Sequence, residues 1–279
     1  MISSNINLEF QGDNNFCFSP LQEHLYENIK SIDLNNCEFI RKIPDFRAPN
    51  LETLNLGGCG NLTEVHDNIG FLDKLKEWRL YDCEKLKILP SKLNLKSLEF
   101  FILGGCKKLE KFPQIHPEMK CLKNLTIHLG DTCVRKLPSS LRYLTSGLDT
   151  LRLPVVQNLD LSFLQYGFKS LKNLDLTYFD RNTVDLNIWL EPKYFPVLET
   201  LDLSYSNIVT IPESITKFTR LQSLFLCECK QLQEIPRLPK SIVKLDARNC
   251  HSLDLQSSRR LLDQVSFYLS IIVTFLNYV

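Results

Sequence analysis

One spacing recurs along most of this chain and restricts its fold more than any other feature. Leu51, Leu54, Leu56, Cys59, Leu62 and Val65 trace the pattern L-x-x-L-x-L-x-x-C-x-x-L-x-x-[I/L/V]. Leu75, Trp78, Leu80, Cys83, Leu86, Leu89 and Pro90 repeat it, as do Leu98, Phe101, Leu103, Cys106, Leu109, Phe112 and Pro113. A later copy runs through Leu221, Leu224, Leu226, Cys229, Leu232, Ile235 and Pro236. Copies start at Ile29, Leu51, Leu75, Leu98, Leu122, Leu148, Leu171, Leu198, Leu221 and Ile242, in steps of 21 to 27 residues.

The physics of such a period is direct. In L-x-L, alternate side chains point to opposite faces of a strand, so the leucines go in and the x residues go out. The C-x-x-L-x-x-I limb folds back over the same leucines, and a proline at its end stops further pairing. One turn buries too little apolar surface to offset the entropy of ordering its backbone, so stability comes from stacking turn upon turn. The spacing predicts an α/β solenoid: a leucine-rich-repeat horseshoe of about ten repeats, with a parallel concave β-sheet and irregular or 3-10 convex limbs. The repeat domain is expected over 29–253, between an N-terminal flank or cap, 1–28, and a C-terminal cap or tail, 254–279. Phe16, Leu21 and Leu25 are candidates to cover the first turn.

Six cysteines, Cys37, Cys59, Cys83, Cys106, Cys229 and Cys250, share the turn position after the strand. A small buried group with weak hydrogen-bonding capacity suits the inside of that turn, and Ser206 takes the place in another copy. The tightest metal-like grouping is Cys227, Cys229, Cys250 and His251, but strand alternation sends Cys227 to the face opposite Cys229, so no zinc site is expected. Residues 1–10 lack a basic start followed by an apolar core, which points to a reducing, cytoplasmic setting. The apolar run 265–279 has 15 residues, shorter than the ~20 that a spanning helix needs. It is read as a strand or helix covering the last repeat, and no membrane contact is expected.

The rhythm loosens between Leu122 and Leu198. Two extra residues separate Ile127 from Val134, so either Ile127 or Leu129 closes that strand motif. Residues 183–197 form a longer returning limb whose Trp189, Tyr194 and Phe195 are read as core packing rather than as a binding loop.

Three passages resemble the repeat region of plant disease-resistance receptors, the family joining a TIR domain, a nucleotide-binding domain and leucine-rich repeats. They are Ile29–Gly70, with Pro44-Asp45-Phe46 and Pro49-Asn50-Leu51-Glu52; Ser97–Ile115 (SLEFFILGGCKKLEKFPQI); and Leu232–Leu253 (LQEIPRLPKSIVKLDARNCHSL). The resemblance implies an intracellular recognition module in defence signalling, meeting either a pathogen effector or the receptor's own nucleotide-binding and TIR domains. It covers the repeats alone. The chain has no G-x-x-x-x-G-K-[ST] phosphate loop, and residues 1–28 are too short for a TIR domain. The expected molecule is the sensing end without its signalling half, whether as part of a larger receptor or as a shortened product. A stand-alone repeat scaffold regulating a signalling enzyme is the alternative.

No catalytic grouping emerges, since His24, His66, His116, His128 and His251 are scattered and no cofactor motif is present. A net charge of +1 supplies no field toward nucleic acid. What remains is a protein-binding surface built from outward residues of the strands: Arg79, Tyr81 and Asp82; Phe100 and Ile102; Arg152; Tyr178; Tyr205; Phe225 and Glu228; and Arg248. Aromatics and arginines on a rigid surface are the residue types that dominate binding energy.

Overall fold

The structure is a computed structural model that describes residues 6–9, 27–45, 47–127, 132–153, 159–182, 185–257 and 259. Phe16, Leu21, Leu25, His24, Phe46, His128, Leu129 and the apolar run 265–279 lie outside these residues. The described residues fall into two compact units, one within Met1–Leu148 and Leu159–Phe163, the other within Asp149–Asn158 and Leu164–Val279.

In the first unit, Ile6–Glu9, Ile29–Asp33, Thr53–Asn55, Glu77–Arg79, Phe100–Leu103 and Asn124–Ile127 pair in parallel, each with the next. In the second, Thr150–Arg152, Asn173–Asp175, Thr200–Asp202, Ser223–Phe225 and Lys244–Asp246 do the same. Every copy read from the sequence thus has its strand. Ile6–Glu9 adds a strand ahead of the first copy, with Leu8 opposite Ile32. Ile127 lies opposite Leu103, so Ile127 closes the strand motif of the loosened copy.

Register aligns equivalent residues, and this sorts the faces. Ile32, Leu54, Trp78, Phe101 and Leu125 form one inward row; Leu151, Leu174, Leu201, Leu224 and Leu245 form another, all fully buried. Trp78 and Phe101 replace leucine in neighbouring strands and stack at 5.1 Å between ring centroids. Aromatic breadth there is absorbed inside the repeat.

The limbs that return over this core are mostly irregular, as the pattern predicts. The expectation that pairing stops there is corrected: Lys42–Ile43 pairs with Glu64–Val65 and Lys92–Leu93 with Gln114–Ile115, both in parallel, because stacked turns bring equivalent limb residues side by side. The limbs carry 3-10 turns at Asp67–Phe71, Ser139–Leu144 and Glu213–Lys217, and one helical turn at Leu186–Trp189. Pro138 and Pro212 precede two of these turns, where a fixed φ and a missing N–H cost nothing. Trp189 and Phe195 are fully buried, and Phe195 stacks on Phe168 at 5.9 Å. Trp189 and Phe195 of the long returning limb are core packing, whereas Tyr194 is half-exposed, with Lys193 Nζ 4.9 Å over its ring.

Candidate functional site

A repeated hydrogen-bonding device ends each strand and sets what faces solvent beyond it. The middle residue of the L-x-L motif is often Asp or Asn, and its side chain accepts the N–H two residues on. Asp33 Oδ1 accepts from Asn35 N at 2.9 Å, Asn55 from Gly57 at 3.1 Å, Asp175 from Thr177 at 3.0 Å, Asp202 from Ser204 at 2.9 Å and Asp246 from Arg248 at 3.2 Å. Such caps hold the chain in a turn instead of letting the strand run on.

The residue after this capped pair takes left-handed backbone geometry. It is Asn36, Gly58, Asp82 and Gly105 in the first unit, with φ of 61°, 71°, 56° and 67°. In the second unit it is Tyr178, Tyr205, Glu228 and Asn249, with φ of 58°, 62°, 62° and 60°. Asn, Asp and Gly tolerate that region, whereas a bulky side chain there costs roughly 1–2 kcal/mol. Tyr178, Tyr205 and Glu228 are the departures.

Next comes the cysteine position. Cys59 Sγ donates to the Leu34 carbonyl at 3.1 Å, Cys83 to Leu56 and Cys106 to Leu80 at 3.0 Å, and Cys229 to Leu203 and Cys250 to Leu226 at 3.1 Å. Each thiol satisfies the carbonyl of the last strand leucine one repeat back. Ser206 serves the same turn by accepting the Phe179 N–H at 3.0 Å. Burial pushes the Cys59 thiol up to about 12. The adjoining thiol and then burial push Cys83 and Cys229 up as well. Cys227, on the other face, is half-exposed while Cys229 is buried, and no group of metal-ligating side chains converges among the described residues.

The residues picked out from the sequence divide accordingly. Arg79, Phe100, Ile102, Arg152 and Phe225 lie on strands with their side chains at least partly exposed. Tyr81, Asp82, Tyr178, Tyr205, Glu228 and Arg248 lie past the strand ends, in the capped turns. Alternation places them only roughly, because it stops where the cap begins.

In the first unit, Arg79 pairs with Glu77 on its own strand at 2.5 Å. Tyr81 reaches back across Gly57, and its hydroxyl donates to Asn35 Oδ1 at 2.7 Å. Asp82 sits over Gly105. Phe100 is exposed and Ile102 half-exposed, side by side with Glu77 and Arg79 of the neighbouring strand.

In the second unit, Arg152 Nε lies 4.0 Å from Asp175, and Lys244 Nζ stands 4.7 Å over the Phe225 ring. Glu228 accepts from Asn249 Nδ2 at 2.5 Å, a bond that holds its carboxyl below the usual range, and it pairs with Lys230 at 3.5 Å. Arg248 forks onto Asp246 at 2.6 Å and lowers that carboxyl. Tyr178 and Tyr205 stack with centroids 5.0 Å apart and are 52% and 51% exposed.

Comparison with known proteins fits this geometry. Residues 197–218 match the Leucine Rich Repeat family model. The chain is 30% identical to TMV resistance protein N of Nicotiana glutinosa over 80% of its own length and 26% of that protein. It is 32% identical to Disease resistance protein RML1A of Arabidopsis thaliana, over 82% of the chain and 20% of that protein. The leucine-rich repeat domain of the type III effector XopL superposes with a TM-score of 0.50 at 21% identity, covering 74% of this chain and 72% of that one, a likeness of fold alone. The chain has the leucine-rich-repeat fold and is similar to plant disease-resistance proteins.

This leucine-rich-repeat protein spans about a quarter or less of the length of those relatives. No described helix is long and apolar enough to cross a membrane. Sequence reasoning missed the acids of the motif's middle position, Asp33, Asp175, Asp202 and Asp246. Their signal was present in the recurring [L/I]-D-[L/A] tripeptides, whose middle residue a hydrophobic-period reading treats as an interchangeable polar x.

Proposed function

We propose that this protein is the recognition module of an intracellular plant immune receptor, binding a pathogen effector or the receptor's own nucleotide-binding and TIR domains. The observation that carries the reading is the exposure of aromatic and aliphatic side chains on a face whose backbone is fixed by the parallel ladder. Phe100 and Ile102 in the first unit, and Tyr178 and Tyr205 in the second, gain nothing from the core and lie beside charged residues. Rigid aromatics rimmed by polar groups favour protein contact, because little entropy is lost on binding. Similarity to plant disease-resistance proteins supports placing that contact in defence signalling, in the cytoplasm. The function is binding rather than catalysis, with no cofactor, nucleic acid or membrane as partner.

Proximity labelling in leaf cells, with and without pathogen challenge, tests this reading. The wild-type chain is compared with a triple variant, Phe100→Ala, Ile102→Ala and Arg152→Ala. Loss of specific labelled proteins from the variant, at unchanged abundance and melting temperature, is the expected result. An identical set of labelled proteins would count against the strand face as the recognition surface.

A further inference from the structure

In the second unit the middle residues of successive strands lie side by side. Arg152 is opposite Asp175, Asp175 opposite Asp202, Asp202 opposite Phe225 and Phe225 opposite Asp246. Both outer acids have an arginine of the same chain, Arg152 on Asp175 and Arg248 on Asp246. Asp202, half-buried between them, accepts the Ser204 N–H. No basic side chain among the described residues balances its charge, while burial and then the Asp175 and Asp246 carboxylates work against it.

Tyr178 and Tyr205 stand three residues beyond Asp175 and Asp202, at the same end of the same two strands. Their stacked rings present about half of each side chain to solvent. Neither ring is needed by the turn, since the equivalent positions elsewhere hold Asn, Gly, Asp or Glu. The electron-rich faces and the acidic row together repel a phosphate or any other anion. A neutral apolar group would leave the carboxylate unused. A planar cation uses both features: guanidinium stacks on aromatic faces and donates two parallel N–H bonds to a carboxylate.

We propose that Tyr178, Tyr205 and Asp202 form a subsite that takes an arginine side chain of a protein partner. This deepens the recognition reading and rests on it. The row on either side already shows related chemistry from within the chain, because Arg248 makes the two-pronged bond with Asp246 and Arg152 stands 4.0 Å from Asp175.

The subsite can be tested alone by titrating the full chain, carrying ring-labelled tyrosine, with N-acetyl-arginine methylamide while following the ring signals by NMR. The neutral citrulline analogue and methyl glucoside serve as comparison probes. Tyr178 and Tyr205 signals are expected to move with the arginine probe, and the citrulline analogue should bind at least about fivefold more weakly. Asp202→Asn should weaken the arginine probe by a similar factor. That variant keeps an acceptor for the Ser204 N–H, as Asn55 does for Gly57. Equal response to citrulline or to methyl glucoside, or no movement of these two signals, would overturn the subsite. Because the probe is a single side chain, such a failure leaves the broader recognition reading to the labelling comparison above.

Discussion

The Tyr81 hydroxyl donates to Asn35 Oδ1 at 2.7 Å, joining side chains 46 residues apart by laying a phenol ring across the bare backbone of Gly57. The bond ties the turns of three successive repeats together. Tyr81→Phe removes only the hydroxyl, and about 0.5–1.5 kcal/mol of stability is expected to go with it. Gly57→Ala places a methyl group into the ring and should cost more, although Gly57 is not among the left-handed glycines. Chemical denaturation of both variants checks the order; an innocuous Gly57→Ala would show that the ring does not lie there.

The cysteine ladder predicts a graded response to substitution. Cys106→Ala leaves the Leu80 carbonyl without its donor inside a buried turn, at a cost of about 1–3 kcal/mol. Cys106→Ser keeps a donor at this position and should be milder; Ser206 already occupies the same place in another turn and is buried there. Thiol labelling in native buffer should reach Cys121 and Cys133, which are exposed, long before Cys59, Cys83, Cys106 or Cys229. Melting curves and labelling rates read these effects; equal labelling of buried and exposed thiols would refute the ladder.

Alkaline pH acts on the same thiols. Cys59 is held protonated by burial, its pKa raised from 9.0 to about 12. A group whose folded value exceeds its unfolded value contributes stability below the unfolded value and loses it as pH rises through the folded one. Stability should therefore decline from about pH 9 toward about pH 12, and Cys59→Ser should flatten part of that decline. Urea denaturation at several alkaline pH values measures it.

Asp202 gives the opposite charge effect from most surface acids. Burial raises its pKa, so the carboxylate costs the folded state stability once it ionises. Asp202→Asn should stabilise the chain at pH 7, and the gain should fade as pH falls toward the ordinary carboxylate range and the wild-type side chain takes up its proton. Unchanged or lower stability at pH 7 would mean that the charge is better accommodated than its surroundings indicate.

Charges at the start of the strands alternate from one repeat to the next. Glu52 lies between Lys30 at 3.6 Å and Lys76 at 2.6 Å, and the Lys76 hydrogen bond lowers its pKa below 4.5. Its contribution is present above that value and fades as pH falls. Glu52→Lys should lower the melting temperature most at low ionic strength, since salt screens exposed pairs. A loss independent of salt would point to packing instead.

Much of this was legible in the sequence because burial follows period. Leu54, Leu80 and Leu224 are inward in the structure, as their spacing requires, and Cys59 and Cys229 occupy the buried turn. The strand at Ile6–Glu9 escaped notice because its copy lacks the leucine and cysteine pattern further on. Tyr81 was read as free surface, since nothing local announces a partner 46 residues away. Asp202 stayed hidden for a related reason. Its unpaired charge depends on where Arg152 and Arg248 find their own partners in the folded strands, and register decides that.

Each strand turns one face to the core and leaves the other free for contact. Thr150–Arg152 tests it most directly, since adjacent residues there have opposite fates: Leu151 is fully buried and Arg152 exposed. Equilibrium unfolding should show Leu151→Ala losing about 2–5 kcal/mol, and Arg152→Ala changing stability by no more than about 0.5 kcal/mol. Similar losses at both positions, or a larger one at Arg152, would contradict it.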